Sequence, residues 1–324
     1  MKFHLTFPIP EFEQKINYTN KFLFVGSCFT ENIGETMQLY KFNVKINPNG
    51  ILFNPESIAV ALRRYIDNKP MEENELFFAN ECWNSWEHHS RFSGADKLTV
   101  LTSINNSISS AHDFIKQTDW LFITFGSAFV YKRNSTGELV GNCHKVPQKE
   151  FTKQILTISE IVDDYKILIR QLKALNNKLK IIFTISPVRH IGDGMVENNL
   201  SKAHLIAAVH EIIKQNDNSF YFPAYELVLD DLRDYRFYKT DMVHPNEQAI
   251  SYVFEKLMNT IFDEETKIHF EKIKDIITAR QHRHFNRNTE GYSKFQAVYQ
   301  ERVKQLQKDY SFLDLEEIVE GFSN

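Results

Sequence analysis

The sequence predicts a three-layer α/β/α fold around a mainly parallel sheet of five strands. Five apolar runs supply the strands: KFLFVG (21–26), FNVKIN (42–47), WLFITFG (120–126), LKIIFTIS (179–186) and SFYFPAYE (219–226). They are rich in Ile, Val and Phe on both faces, as strands covered on both sides are. Most end in Gly, Asn or Ser, which begin the next turn. Between the runs lie segments with the three–four spacing of amphipathic helices.

Those helices read in order along the chain. Residues 55–68 place Ile58, Ala61, Leu62 and Tyr65 on one stripe. Residues 159–175 repeat it through Ile161, Tyr165, Leu168, Ile169 and Leu172, and residues 201–214 through Leu205, Ala208, Val209 and Ile212. A fourth helix is expected over 246–261. Strands alternating with helices imply parallel pairing. Residues 70–118 lack a strong period in their first half (FFANECWNSWEHHSRFSG) and read as a long insertion over one end of the sheet. The expected division is a main domain over 1–262 and a charged helical extension over 263–324, with Phe295, Val298, Tyr299, Val303 and Leu306 at helix spacing.

Composition excludes several classes of function. The chain has 324 residues, 42% hydrophobic and 25% charged, within the globular range. Its net charge of −4 gives no electrostatic reason to expect nucleic-acid binding. The cluster RQHRHFNRN (280–288) reads as a solvated helix end. Three cysteines, Cys28, Cys82 and Cys143, form no CxxC pair and no disulfide framework, so a reducing compartment is expected. No apolar run is long enough to span a membrane, and the first residues lack the apolar core of a signal peptide. A cytoplasmic protein is the expectation.

Two constellations carry chemistry. In VGSCFTENIG (25–34), Ser27 stands where the first strand ends and a helix begins. The carboxyl ends of parallel strands form the ligand crevice of an open α/β sheet. Position alone leaves a second reading, in which Ser27 only caps the helix. After the last strand, TDMVHPNEQAI (240–250) places Asp241 three residues before His244, with Pro245 at the start of the next helix. A serine hydroxyl needs an adjacent base, histidine suits that role, and a carboxylate fixes its tautomer.

Further residues fall in loops at the same sheet edge. Asn142, His144 and Lys145 follow the third strand, and Arg189 and His190 follow the fourth. They could bind substrate oxygens or a carboxylate, or could hold turns and ion pairs. His88 and His89 lie in the insertion beside Trp83 and Trp86; adjacent histidines diverge, so joint metal ligation is not expected.

The motifs GSCF with ENIG behind it, NPNGILFNP (47–55), WLFITFGSAFVY (120–131), GNCHKVP (141–147), ISPVRH (185–190), ENNLSKAHL (197–205) and TDMVHPN (240–246) together resemble the GSCFA domain family. That family is grouped with the SGNH, GDSL-like, hydrolases. The resemblance implies a flavodoxin-like SGNH sheet and a Ser-His-Asp triad of Ser27, His244 and Asp241. The usual Gly-Asp-Ser reads Val-Gly-Ser here. Gly50 would correspond to the glycine whose N–H joins the oxyanion hole. The usual Gly-x-Asn is absent: Gly126-Ser127-Ala128 stands there, leaving Ser127 or Asn142 to replace the missing donor. Between Ser27 and its neighbour Cys28, the resemblance favours Ser27, with Cys28 as a small buried residue.

The expected function is hydrolysis of an ester, such as an acetyl ester on a sugar, through an acyl-enzyme. His144, Arg189 and His89 are expected to bind the substrate. The chemistry requires no metal and no organic cofactor, and the expected partner is a small-molecule or carbohydrate ester, with neither nucleic acid nor membrane. O-acyl transfer to a glycan would use the same residues. A catalytically quiet carbohydrate-binding protein is the reading that the missing Asn supports.

Overall fold

The computed structural model describes Leu5, residues 7–281, residues 289–310, Leu313 and Leu315. Most of the basic cluster at 280–288 therefore lies outside the described residues.

The central sheet has five strands: β1 (Lys21–Gly26), β2 (Asn43–Ile46), β5 (Trp120–Phe125), β9 (Lys180–Ile185) and β10 (Ser219–Tyr221). Their order across the sheet is β10-β9-β5-β1-β2. The registers Val25↔Ile123, Phe125↔Ile185 and Phe220↔Ile182 are parallel. β10 is shorter than its apolar run because Pro223, which has no N–H for a ladder, follows it closely; residues from Ala224 turn into helix instead.

Both faces of the sheet are buried. On one face Leu23, Val25, Leu121, Ile123, Phe125, Ile181 and Phe183 pack in one core with helices α2 (Pro55–Asp67), α3 (Lys97–Ile115), α4 (Ile158–Leu175) and α5 (Met195–Lys214). On the other, Phe24 stacks on Phe122 at 4.4 Å and Trp120 packs against Phe220 at 5.9 Å. Helices α1 (Cys28–Leu39) and α7 (Glu247–Ile261) contribute buried Phe29, Ile33, Ala249 and Val253. The result is the expected three-layer arrangement.

Two expectations need correction. Helix α3 is not part of the insertion, because its Ala111 and Ile115 belong to the main core. The inserted segment proper holds the hairpin of β3 (Leu76–Ala79) and β4 (Cys82–Ser85). Helix α5 begins at Met195, ahead of the apolar stripe, and so carries Asn198, Ser201 and Lys202 on its buried side.

The hairpin is fastened to α2 by one guanidinium. Arg64, only 7% exposed, donates from Nε and Nη2 to Glu87 at 2.7 Å each. It also donates to Glu75 at 2.7 Å and to the Pro70 carbonyl at 3.2 Å. Lysine could not supply this fork of donors. A three-stranded antiparallel sheet, β7-β6-β8, is formed by β6 (Phe129–Arg133), β7 (Leu139–Val140) and β8 (Phe151–Ile155).

The chain divides into two compact units, and everything above belongs mainly to the first, residues 1–9, 21–35 and 44–256. The second comprises residues 10–20, 36–43 and 257–324. In it, Ile16 donates to Ile261 O at 2.8 Å and accepts from Asp263 N–H at 3.0 Å. Tyr18 stacks on Phe42 at 4.0 Å, and α8 (Glu264–Gln281) meets α9 (Glu290–Asp309) through Asp275 and Arg302 at 2.7 Å. Among the described residues no helix is long and apolar enough to cross a membrane.

Candidate active site

In chain order the sheet strands run second, first, third, fourth, fifth, so the order reverses between β1 and β5. Ligands of open α/β sheets sit outside the carboxyl ends of the strands at that reversal. The loops after β1 and β5 flank it.

The loop after β1 is pressed hard against β5. Gly26 has φ +144°, and a Cβ there would lie 2.2 Å from the Thr124 carbonyl oxygen, so only glycine fits. Its N–H donates to Asn47 Oδ1 at 2.9 Å, and Ser27 N–H donates to Thr124 O at 3.3 Å. Helix α1 starts at Cys28. Ser27, the expected nucleophile, is 0% exposed, and its Oγ is hydrogen-bonded to nothing, His244 included. Cys28 is partly exposed, which reverses the expected order of burial. Burial, and to a smaller extent the charge of Glu31, push the Cys28 thiol up; the N–H groups of Phe29 and Cys28, and last the charge of Lys202, act in the opposite sense. Cys28, Cys82 and Cys143 are all free thiols.

Asp241 and His244 form a pair in a tight loop. His244 Nδ1 lies 2.8 Å from Asp241 Oδ2, while Asp241 Oδ1 accepts the N–H of Val243 at 2.9 Å and of His244 at 3.0 Å. These backbone donors, with the imidazole, hold the Asp241 carboxyl down at about 2. The loop closes through Lys239 N–H to His244 O at 2.7 Å, and Arg189 N–H reaches Val243 O at 3.2 Å from beyond β9. The Arg189 guanidinium lies over Tyr238 and Tyr235, 4.4 and 4.9 Å from the ring centroids. Pro245 precedes α7 rather than opening it; Asn246 Oδ1 accepts Ala249 N–H at 3.1 Å and caps the helix.

Between these loops lies a residue the sequence did not single out. Lys202 of α5 is fully buried, and its Nζ donates to Gly126 O at 2.6 Å and Ser186 O at 2.7 Å. It therefore ties the carboxyl ends of β5 and β9 together. No carboxylate pairs with it among the described residues, and burial pulls it down to about 7. Its charge is felt at Cys28 and at His190, and His190 in turn feels His244. His190 is held by its N–H to Asn198 Oδ1 at 2.9 Å and packs edge-on to Phe53 at 5.3 Å. Its buried Nε2 has no partner, and burial, then Lys202, lowers it to about 4.

The N–H groups of Gly50, Gly126 and Ser127 are engaged elsewhere. Gly50, at φ +79°, packs against His89, and its N–H donates to Asn47 O at 2.7 Å. The N–H groups of Gly126 and Ser127 both donate to Phe53 O, at 2.7 and 3.0 Å. Ser127 Oγ accepts Phe129 N–H at 3.1 Å and meets Ser201 Oγ at 3.3 Å. Asn142 Oδ1 accepts His144 N–H at 2.9 Å, a turn contact, and its own N–H donates to Trp86 O. His144 is buried and its Nε2 donates to Ser85 O at 2.8 Å, edge-on to Phe77 and Trp86. Asn142 and His144 thus belong to the hairpin's packing. His89 Nδ1 accepts Arg91 N–H at 3.3 Å. The first-turn N–H groups of α1 remain as donors beside the switch point.

Fold and site together define a class: an α/β protein with a Gly-Ser-Cys turn after its first strand and a carboxylate–imidazole pair after its last. The chain belongs to the GSCFA family, whose pattern matches residues 21–257; the pattern of the GSCFA domain protein, C-terminal domain, matches residues 273–324. Among solved structures it is similar to a carbohydrate esterase family 3 from Talaromyces cellulolyticus, at 12% identity and TM-score 0.27, covering 50% of this chain and 63% of that one. The chain thus spans less than two thirds of that esterase. It is also similar to an acetyl xylan esterase from the rumen bacterium Butyrivibrio proteoclasticus, at 10% identity and TM-score 0.39, covering 80% of this chain and 67% of that one. No curated relative matches the chain.

Proposed function

We propose that the protein is an SGNH-type hydrolase of ester bonds, with an O-acetylated carbohydrate as the substrate class. The observation that carries this reading is the Asp241–His244 pair, at 2.8 Å, in the loop after the last strand of a sheet whose first strand ends in a nucleophile-bearing turn. Asp241 fixes His244 with Nδ1 protonated, which leaves Nε2 to accept a proton. A hydroxyl or thiol of the Ser27–Cys28 turn attacks the acyl carbon, and His244 returns the proton to the departing alcohol. Water then releases the acyl group. The oxyanion is held by the N–H groups that open α1. His244 is 42% exposed, so water reaches it, which favours hydrolysis over transfer to a glycan.

The test is acetate release from an activated acetyl ester and from acetylated xylan by the full-length chain, with and without His244→Ala. Hydrolysis of neither ester by the wild type, or equal rates for both chains, would remove this reading.

A further inference from the structure

We propose that Arg189 anchors an anionic group of the substrate, a carboxylate or a phosphate, through a guanidinium laid over Tyr238 and Tyr235 at the His244 loop. The ester rests on the function proposed above; the anion site does not.

The first ground is place. The backbone ties Arg189 and its platform to His244 from both sides. Arg189 N–H donates at 3.2 Å to the carbonyl of Val243, the residue before His244. The guanidinium lies 4.4 Å from the ring centroid of Tyr238, and Tyr238 pairs antiparallel with Pro245, the residue after His244. Antiparallel partners stand about 5 Å apart. Lys239 N–H to His244 O at 2.7 Å and Asn246 N–H to Phe237 O at 2.9 Å close the same pairing.

The second ground is an uncommitted charge. The sequence left open that Arg189 serves an ion pair. Its guanidinium makes no ion pair and no hydrogen bond among the described residues; its contacts are the two rings. Carboxylates on the segments around it are taken. Asp241 holds His244 at 2.8 Å, Asp234 meets Arg236 at 3.7 Å, and Asp193 pairs with Lys153. Stacking occupies the flat face of a guanidinium and leaves its in-plane N–H edge free. That edge matches a carboxylate or phosphate bidentately, which an ammonium cannot do. The rings also fix the fork in advance, so less freedom is lost on binding.

The third ground is the platform itself. Tyr238 is 7% exposed, and its hydroxyl is buried and bonded to nothing. Buried hydroxyls ordinarily have a partner. An oxygen of the bound anion is the acceptor that this one lacks.

The substrate class thereby narrows from an O-acetylated carbohydrate to an acidic one. The chain carries a net charge of −4, so anions are not gathered from a distance, and the selection falls to this fork. The contact is the same before and during the reaction, so it acts through KM.

The experiment uses the full chain. Three esters are compared: acetylated glucuronic acid, acetylated glucose carrying a phosphate, and acetylated glucose. One of the acidic esters should exceed the neutral one in kcat/KM on the order of 10-fold or more, mainly through KM. Which one does so identifies the anion as carboxylate or phosphate. Arg189→Gln should abolish that preference, and Arg189→Lys, which keeps the charge without the fork, should recover only part of it. A second readout needs no ester. Sodium glucuronate or inorganic phosphate, titrated into isotope-labelled wild type, should shift the Nε–Hε resonance of Arg189 to saturation; loss of the signal in Arg189→Lys assigns it. Equal kcat/KM for the three esters, a preference that survives Arg189→Gln, or an unmoved resonance overturns the proposal. A saturating shift in a chain that hydrolyses none of the three would uphold the anion site and refute the ester as substrate.

Discussion

Asp241 holds His244 at two places at once: one carboxylate oxygen accepts the His244 main-chain N–H at 3.0 Å and the other meets its ring Nδ1 at 2.8 Å. The ring therefore cannot turn without the loop, and its tautomer is set by an oxygen whose neighbour is already committed. With the Asp241 carboxyl lowered to about 2, this arrangement persists throughout the neutral range.

Asp241→Asn keeps the shape and offers a donor where an acceptor is needed. The expected result is a fall in kcat on the order of 10³-fold or more with little change in KM. Steady-state kinetics on an activated acetyl ester read both constants; a raised KM at constant kcat would move Asp241 to substrate binding.

Lys202 links the folded state to pH. Burial lowers its folded value to about 7 from an ordinary lysine value, so the unfolded chain binds more protons between those two pH values. Stability should therefore rise as pH rises from about 7 toward about 10.4, and show no contribution from this group below about 7. Urea midpoints across that range, compared between wild type and Lys202→Met, isolate it; parallel profiles for the two chains would show that Lys202 does not titrate there.

Three imidazoles produce a slope of the same sign at acid pH. Burial lowers His88 to about 3 and His190 to about 4, and lowers His144 as well. All three fold as neutral rings, so their contribution is present above about pH 6.5 and is lost as pH falls through the folded values. Residues 76–92 and 142–146, where His88 and His144 pack, should lose amide protection on acidification before β5 does. Uniform loss across the sheet would contradict this.

Gly26→Ala adds a Cβ at 2.2 Å from Thr124 O with φ at +144°. The expected loss is about 3 kcal/mol or more, from backbone strain and displacement of a central strand. Thermal unfolding measures it, and a neutral substitution would mean that the β1 turn is not pressed on β5 as described.

The sheet was legible because its strands are apolar on both faces: Leu23 and Val25 face the helices α2–α5, while Phe22 and Phe24 face the other side. The helices were legible from their stripes. The start of α5 was not, because Asn198, Ser201 and Lys202 occupy buried stripe positions with polar groups, and lysine is ordinarily solvated. That in-phase continuation, Asn198 and Ser201 or Lys202 leading into Leu205, Ala208, Val209 and Ile212, was the available signal. The hairpin escaped notice because its strands have four residues each, too short for alternation to show. Asp241 and His244 were readable as a pair from their spacing together with their place after the last strand, opposite Ser27 after the first. Which atom of the Ser27–Cys28 turn faces outward was not, since that depends on how β1 meets β5 across a long separation in sequence.

Arg64 gives the wall beside the site a mechanical character. It clasps the inserted segment at Pro70, Glu75 and Glu87, and further along Arg91 pins the same segment to Glu31 of α1 and to the Asn47 carbonyl. Swinging this segment open would strand a guanidinium and two carboxylates at once, so it cannot serve as a flap that opens in each cycle. This border is fixed in place. Slow exchange of the amides in 70–92, on a par with α2, is the physical counterpart of that rigidity.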